Sequence, residues 1–487
     1  MVAPWAVAEM AGVDLNDKRL NQRLTQILSD LSDRPSASIP AACGGHAEMT
    51  AAYRFFDNDK ATYQKILEPH AAKTRERVRA QQVVLCVQDT SEIDLTRPQQ
   101  QVAGAGPLAA ESRQGIFLHL LEAFTPDGTP LGGLWSHTWA RDEASLQTPP
   151  ADKRKQRKAA PIEDKESFRW LQGLRHTRAL AEACPDVTCV CVADSEADIY
   201  ELFAEPRGAT NPVHWLIRLC QDRALAVDPE TAEAALPACL IREGVAGAAV
   251  LFTKEIAVRG RRPKVSCEDR GRRQPRQDRR AVVEVRATTL TLRPPARSQR
   301  GLPEVTVNVV WIREVNPPAD DMPVEWLLVT TLPIDNAEQV HAIIQYYCVR
   351  WMIEVLFRTL KSGCRVEERR LERVERLERS LAVYEIIAWR TLYVCRLGRS
   401  CPDLDCEAVF EPSEWKAVWM VVQRKAPPKK PPRLADMVRL IAQLGGYVNR
   451  PQRADPPGPQ TVWLGLQRMR DLAWGWDTFG PGAKKVV

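Results

Sequence analysis

Two short apolar runs, "VVLCVQD" at 83–89 and "DVTCVCVAD" at 186–194, each end in an aspartate, and this arrangement narrows most what the chain can become. Apolar runs of this length and β-branched content read as buried strands. A carboxylate at such an end is placed at an edge of a sheet, where two of them can meet. Around these strands the pattern alternates. "GIFLHLLEAFTPDGTPLGGLWSHTWA" predicts a hairpin about a Pro-Asp-Gly turn. A helix is expected from near Glu163, and another after Asp194. Strand-like stretches ("AVVEVRATTLTL", "EVTVNVVWIREV", "EWLLVTT") then fill much of 218–332, and from Asn336 the pattern is helical. The first seventy residues also read as helices, with Leu20, Leu24, Ile27 and Leu31 at helical spacing. The expected class is therefore α/β, with additions at both ends.

The 487 residues suffice for two or three domains. No apolar run reaches membrane-span length, and the start lacks a basic segment leading into an apolar one, so the expected location is the cytoplasm. Thirteen cysteines without a C-x-x-C pair, several in apolar runs (Cys86, Cys189, Cys191, Cys348), read as buried thiols rather than a zinc site. The net charge of +6 is modest, yet Arg259 to Arg280 holds ten basic residues against three acidic ones. That excess suits a polyanion, nucleic acid first, although a solvated hairpin tip fits equally well.

"YYCVRWMIEVLFRTLK" at 346–361 combines helical periodicity with recurrent charge. At about 100° per residue, Arg350, Glu354 and Lys361 fall within roughly 60° of Tyr347, while Ile353, Leu356 and Leu360 gather on another face. Glu354 in solvated pairs with Arg350 and Arg358 would satisfy the same spacing. The other two acids, Asp89 and Asp194, favour chemistry. Three converging carboxylates need cations between them, and two Mg²⁺ ions about 3.5–4 Å apart supply these while serving phosphoryl transfer. Tyr347, Arg350 and Lys361 then suit phosphates.

Tyr347, Arg350, Glu354 and Lys361 reproduce a Y-(2)-R-(3)-E-(6)-K signature. With "VQDT", "ADSEADIY", "EVNPPADDMPVEWLLVTTLPI", "LNDKRLNQRL", "AYRFF" and "KAVWMVVQRKAPPK", the chain resembles the bacterial insertion-sequence DDE transposases of the transposon-five type. The resemblance implies a ribonuclease-H-like catalytic core with a β-rich insertion about 218–325, spanning 71–370. It would lie between an N-terminal helical DNA-binding domain (1–70) and a C-terminal helical dimerisation domain (371–487). It implies that Asp89, Asp194 and Glu354 are the catalytic metal ligands, for two Mg²⁺ ions with Mn²⁺ able to substitute. It further implies cut-and-paste transposition of double-stranded DNA through a hairpin, by a homodimer bridging the terminal inverted repeats and joining them to target DNA. Trp326 matches a base-stacking tryptophan, and Trp351 either supports the same pocket or packs in the core; Arg218 matches a phosphate contact, and Arg23 and Arg54 match terminal-repeat contacts. Ser195 departs from the arginine common in the family, and the stretches at 141–161 and 259–280 look enlarged. The competing readings are a non-transposing metal-dependent nuclease and a DNA-binding inhibitor of transposition.

Overall fold

The computed structural model describes residues 2–97, 99–109, 112–142, 160–226, 239–260, 277–295, 301–319, 321–448 and 456–481. Most of the polar connector at 141–161 and of the basic run at 259–280 lies outside the described residues. The chain divides into two compact units, Met1–Ala159 with Trp351–Val487, and Ala160–Arg350.

The first unit opens with helices α1 (Pro4–Glu9), α2 (Lys18–Asp33), α3 (Ile39–Ala42), α4 (His46–Phe56) and α5 (Tyr63–Arg79). Helix α2 starts at Lys18, two residues before Leu20, the first of its apolar pattern. Asn16 takes a positive φ, and the Asp17 carboxylate then caps the helix by accepting the Arg19 N–H. Leu24, Ile27, Leu28 and Leu31 form its buried stripe. The helical segment continues past residue 70, which lies inside α5.

Strand β1 (Val83–Asp94) pairs antiparallel with β3 (Gln114–Phe124), which also carries the short β2 (Gly106–Pro107) and forms the expected hairpin with β4 (Pro130–Trp139). β1 does not end at Asp89 as its apolar run suggests: it runs on to Asp94, with Asp89 opposite Leu120. The continuation is polar and half-buried, and pairing with β3 rather than hydrophobicity holds it in the sheet.

The second unit contains α6 (Phe168–Ala183), β5 (Thr188–Ala193), α7 (Tyr200–Phe203), β6 (His214–Arg218), α8 (Ile241–Ala246), β7 (Val250–Val258), β8 (Arg279–Leu292), β9 (Val305–Glu314), β10 (Glu325–Thr330) and α9 (Ala337–Val349). Its strands lie in the order β5-β6-β10-β9-β8-β7, with β5 and β6 parallel and the remaining pairs antiparallel. The β-rich stretch thus extends the sheet that β5 begins instead of forming a layer of its own.

The chain re-enters the first unit with α10 (Trp351–Arg358), followed by α11 (Val374–Ser400), α12 (Pro412–Gln423), α13 (Leu434–Leu444) and α14 (Pro459–Phe479). The proline-rich segment 424–433 separates α12 from α13. Where α13 meets α14 the backbones themselves touch: a Cβ on Gly445 would lie 1.9 Å from the Thr461 carbonyl oxygen, and one on Gly465 would lie 1.9 Å from that of Ile441. Trp415, Met437, Ile441, Val462 and Met469 fill the core around this crossing. No described helix is long and apolar enough to cross a membrane.

A polar seam ties the N-terminal helices to the sheet. His70 Nε2 accepts the Gly133 N–H (2.9 Å), which leaves the proton on Nδ1, facing Glu9 Oε1 at 2.5 Å. Burial holds the His70 pKa down, so the ring is neutral and Arg77 is the cation. Arg77 forks onto Glu9 at 3.0 and 2.9 Å and donates to the Leu131 carbonyl.

A second buried acid, Glu385 of α11, accepts the Tyr63 hydroxyl at 2.6 Å, and burial pushes its pKa up to about 8. A raised carboxyl pKa favours the fold below the unfolded value near 4.5, and this contribution is lost as pH rises through about 8. Glu385→Gln should therefore gain stability relative to the unmodified chain between pH 5 and 8.5. Melting curves across that window test this; parallel pH profiles would show that Glu385 is not the group responsible.

Candidate active site

Strand ends set the site in the second unit. Ala193 pairs with Ile217 in the parallel β5–β6 ladder, so the next residues stand side by side: Asp194 leaves the sheet, while Arg218 stays paired with Leu328 of β10. Asp194 caps a 3-10 turn, Ser195–Ala197, by accepting the Glu196 N–H at 2.8 Å, which orients its carboxylate. Arg218 Nη2 lies 3.4 Å from Ser195 Oγ, on the residue that departs from the family pattern.

Tyr347 comes to this place from the last turn of α9. Its ring meets Trp326 of β10 edge-on, with centroids 5.2 Å apart. Burial raises the Tyr347 pKa against the opposing pull of Arg218 and Arg350, with Asp194 adding to the rise. The phenol is therefore a proton donor at neutral pH. Its hydroxyl is buried, and the Arg350 guanidinium stands beside it. The structure thus brings Asp194, Arg218, Trp326, Tyr347 and Arg350 together.

In the first unit, α10 packs against β1, the elements that carry Glu354 and Asp89. Leu120, opposite Asp89, lines a small cavity together with Leu356 and Leu360, which follow Glu354. Asp89 Oδ1 accepts the Thr90 N–H at 2.7 Å. Behind this stretch His119 bridges Thr90 Oγ1 (2.8 Å) and Gln88 Oε1 (3.1 Å), which steadies the strand. Lys361 pairs with Glu367 at 3.7 Å, and Trp351 is 61% exposed, which places it at the surface rather than in the core. Arg54 is exposed near the end of α4, and Arg23 is half-buried on α2, which packs against α4.

The helix expected for 346–361 is not uniform, although Arg350, between its two parts, keeps right-handed helical dihedrals. Helix α9 stops at Val349, α10 starts at Trp351, and Thr359–Gly363 winds as a π-turn carrying Lys361. Such insertions recur at functional positions and shift every residue beyond them around the axis. The core face holds, since Ile353, Leu356 and Leu360 are buried, but Tyr347 and Arg350 are buried as well. Cys348, expected to be buried, is exposed.

Among the described residues no three His, Cys, Asp or Glu side chains stand together as a metal shell. The donor type nevertheless suits a hard divalent cation, because Asp89, Asp194 and Glu354 all offer carboxylate oxygens. Composition alone did not reveal Asp198, fully buried and paired with Arg223. The only signal for it was its place four residues after Asp194 in "ADSEAD".

Three families match the chain, each over its own stretch. They are Transposase DNA-binding over residues 2–61, Transposase DDE domain over 171–389 and Transposase Tn5 dimerisation domain over 386–476. Asp194 and Glu354 fall inside the DDE match and Asp89 precedes it. Among solved structures, the chain is similar to a piggyBac transposase synaptic complex with hairpin DNA. That likeness has 10% identity and a TM-score of 0.33, over 82% of this chain and 72% of the other, and is too distant to bear on the site.

Proposed function

The chain belongs to the Tn5-like DDE transposases, a DNA-binding and DNA-transposing family whose DDE domain implies divalent metal ions, and on that footing we propose how its residues divide the work. The chain cuts a mobile element out of bacterial double-stranded DNA at its terminal inverted repeats, through a hairpin, and joins the 3′-OH ends to target DNA. It works as a homodimer in the cytoplasm, associated with the nucleoid when bound to DNA. Asp89, Asp194 and Glu354 hold two Mg²⁺ ions, which Mn²⁺ replaces. When bound, such ions activate the attacking oxygen and stabilise the leaving one in an in-line displacement.

The protein's own part is positioning and charge. Arg218, Arg350 and Lys361 neutralise the phosphate, and the Tyr347 hydroxyl donates to one of its oxygens. Trp326, with Trp351, stacks on a base turned out of the duplex, which relieves the bend a hairpin imposes. Arg23 and Arg54 meet the terminal repeat. The buried Tyr347 hydroxyl, gathered with the cations Arg218 and Arg350 beside the Asp194 carboxylate, carries this reading. A phosphate oxygen there would accept from the phenol and from both guanidinium groups.

A denaturing gel tests the function directly, using labelled DNA bearing the inverted repeat that flanks the coding region, with Mg²⁺ and then with EDTA. Metal-dependent nicks and hairpins at the repeat boundary are expected; binding without cleavage would leave an inhibitor of transposition. In the same assay Trp326→Ala should accumulate nicked ends while hairpin formation slows about 10- to 100-fold, the worth of one base stack. Equal loss of both products would remove Trp326 from the hairpin step.

A further inference from the structure

We infer that Asp198 and Arg223 form a clamp that positions Asp194 and Arg218 for phosphoryl transfer; this rests on the roles proposed above for those two residues. Asp194 opens the 3-10 turn after β5, and Asp198 closes it. The Asp198 carboxylate, with no exposed side-chain surface, then crosses to the segment that follows β6. Its Oδ2 accepts the N–H groups of Cys220 (3.0 Å) and Gln221 (2.9 Å), two and three residues beyond Arg218. Its Oδ1 accepts Arg223 Nε at 2.8 Å, and Arg223 Nη2 reaches both this oxygen and the Asp198 carbonyl. The guanidinium also faces the rings of Tyr200 and Phe203, 5.9 and 5.3 Å from their centroids.

One buried carboxylate therefore ties together the exits of two neighbouring parallel strands. Beyond Ala193 and Ile217 the ladder ends, and no further pair joins β5 to β6. Arg218 is still paired with Leu328 of β10, and the clamp supplies the link between the β5 and β6 exits that their own ladder no longer makes. It fixes the far end of the turn that Asp194 begins, and it fixes the chain two residues after Arg218. Cys220 completes the connection, its thiol 3.4 Å from Asp198 Oδ2 and 3.6 Å from the Ser195 carbonyl. A buried ion pair adds little net stability over an apolar pair of the same volume. What this one supplies is geometry, since a misplacement of about 1 Å at reacting groups can cost about 10²-fold in rate. Asp198 is a positioning residue: it acts through Asp194 and Arg218.

The test uses the full chain and the inverted-repeat duplex, with three readouts: end binding, single-turnover cleavage, and alkylation of Cys220 followed by peptide mass. Burial, and then Asp198, hold the Cys220 thiol pKa up. Cys220 and Cys348 are both exposed; removing the Asp198 charge in Asp198→Asn should therefore speed Cys220 alkylation by easing its ionisation, while Cys348 labels as before. End binding should be unchanged and cleavage slower by about 100-fold. Asp222→Asn, which breaks the neighbouring Arg242 pair, should leave cleavage intact. Faster Cys220 labelling with undiminished cleavage overturns the clamp, as does an equal cleavage loss in Asp222→Asn.

Should Asp198→Asn fail to fold, Arg223→Lys keeps the charge and loses the fork. A smaller cleavage loss with binding retained supports the clamp, and unchanged cleavage with a labile Cys220 overturns it. A wild-type chain that binds but never cuts sinks the transposase reading and the clamp's catalytic role together. A cutting wild type with a cutting, clamp-open variant sinks the clamp alone.

Discussion

Replacing Glu354 with Gln should lower nicking and hairpin formation by about 10³-fold or more, the scale on which a principal electrostatic contact is lost, and leave DNA-end binding in place. The substitution conserves volume, and the helix keeps its seat because Ile353, Leu356 and Leu360 remain buried beneath it. What disappears is one negative charge and the affinity of a carboxylate for a hard cation. Asp194→Asn and Asp89→Asn should fall to similar levels. A double substitution should cost little more than either single one, because groups that act as a unit lose their effect together. Cleavage and binding are read from the same samples on denaturing and native gels. Undiminished cleavage in Glu354→Gln would mean that the third acid lies elsewhere; lost binding would mean that the substitution disturbs more than chemistry.

The second large effect concerns stability. Glu9→Gln should destabilise the fold by about 3–5 kcal/mol, the usual result of taking one partner from a buried charge pair. Arg77 would keep its charge without a carboxylate, and the amide would present a donor to His70 Nδ1–H or to the Arg77 fork, both donors themselves. The acid limb carries a separate signature. Burial alone would raise the Glu9 pKa, but its contacts with His70 and then Arg77 outweigh this and bring it to about 2. A depressed carboxyl pKa contributes stability above the unfolded value near 4.5, and that contribution fades as pH falls towards about 2. Urea titrations should show the wild type losing its advantage over Glu9→Gln across that interval. A constant difference between the two would place the ionised partner somewhere other than Glu9.

Local pattern made part of this molecule legible and hid the rest for identifiable reasons. The strand before Asp194, the hairpin at Pro126–Gly128 and the stripe on α2 each depend on neighbours within one element, so periodicity exposes them. Asp89 looked terminal because hydrophobicity stops there, whereas hydrogen bonding to β3 does not. The helical wheel over 346–361 assumed one uniform helix. The π-turn at Thr359–Gly363 leaves no trace in residue type. Contacts across long separations were invisible too. Glu9 and His70 are 61 positions apart, and neither stands out in its own helix. Asp198 read as one more polar residue in a turn, because its partners Cys220 and Arg223 become neighbours only once β6 lies beside β5.

The contact of α13 with α14 through Gly445 and Gly465 has an evolutionary consequence. Most helix crossings drift, since a lost methyl in one chain can be answered by a gained one in the other. Here carbonyl oxygens occupy the room a methyl would need, so neither glycine has a tolerated first step away from its present identity. The crossing acts as a fixed pivot through descent. Substitution on the outer side of α14 changes what the helix presents there, Trp474 and Phe479 included, but not the line along which it is presented. A lineage diverging in this region would be expected to alter its surface while preserving its angle.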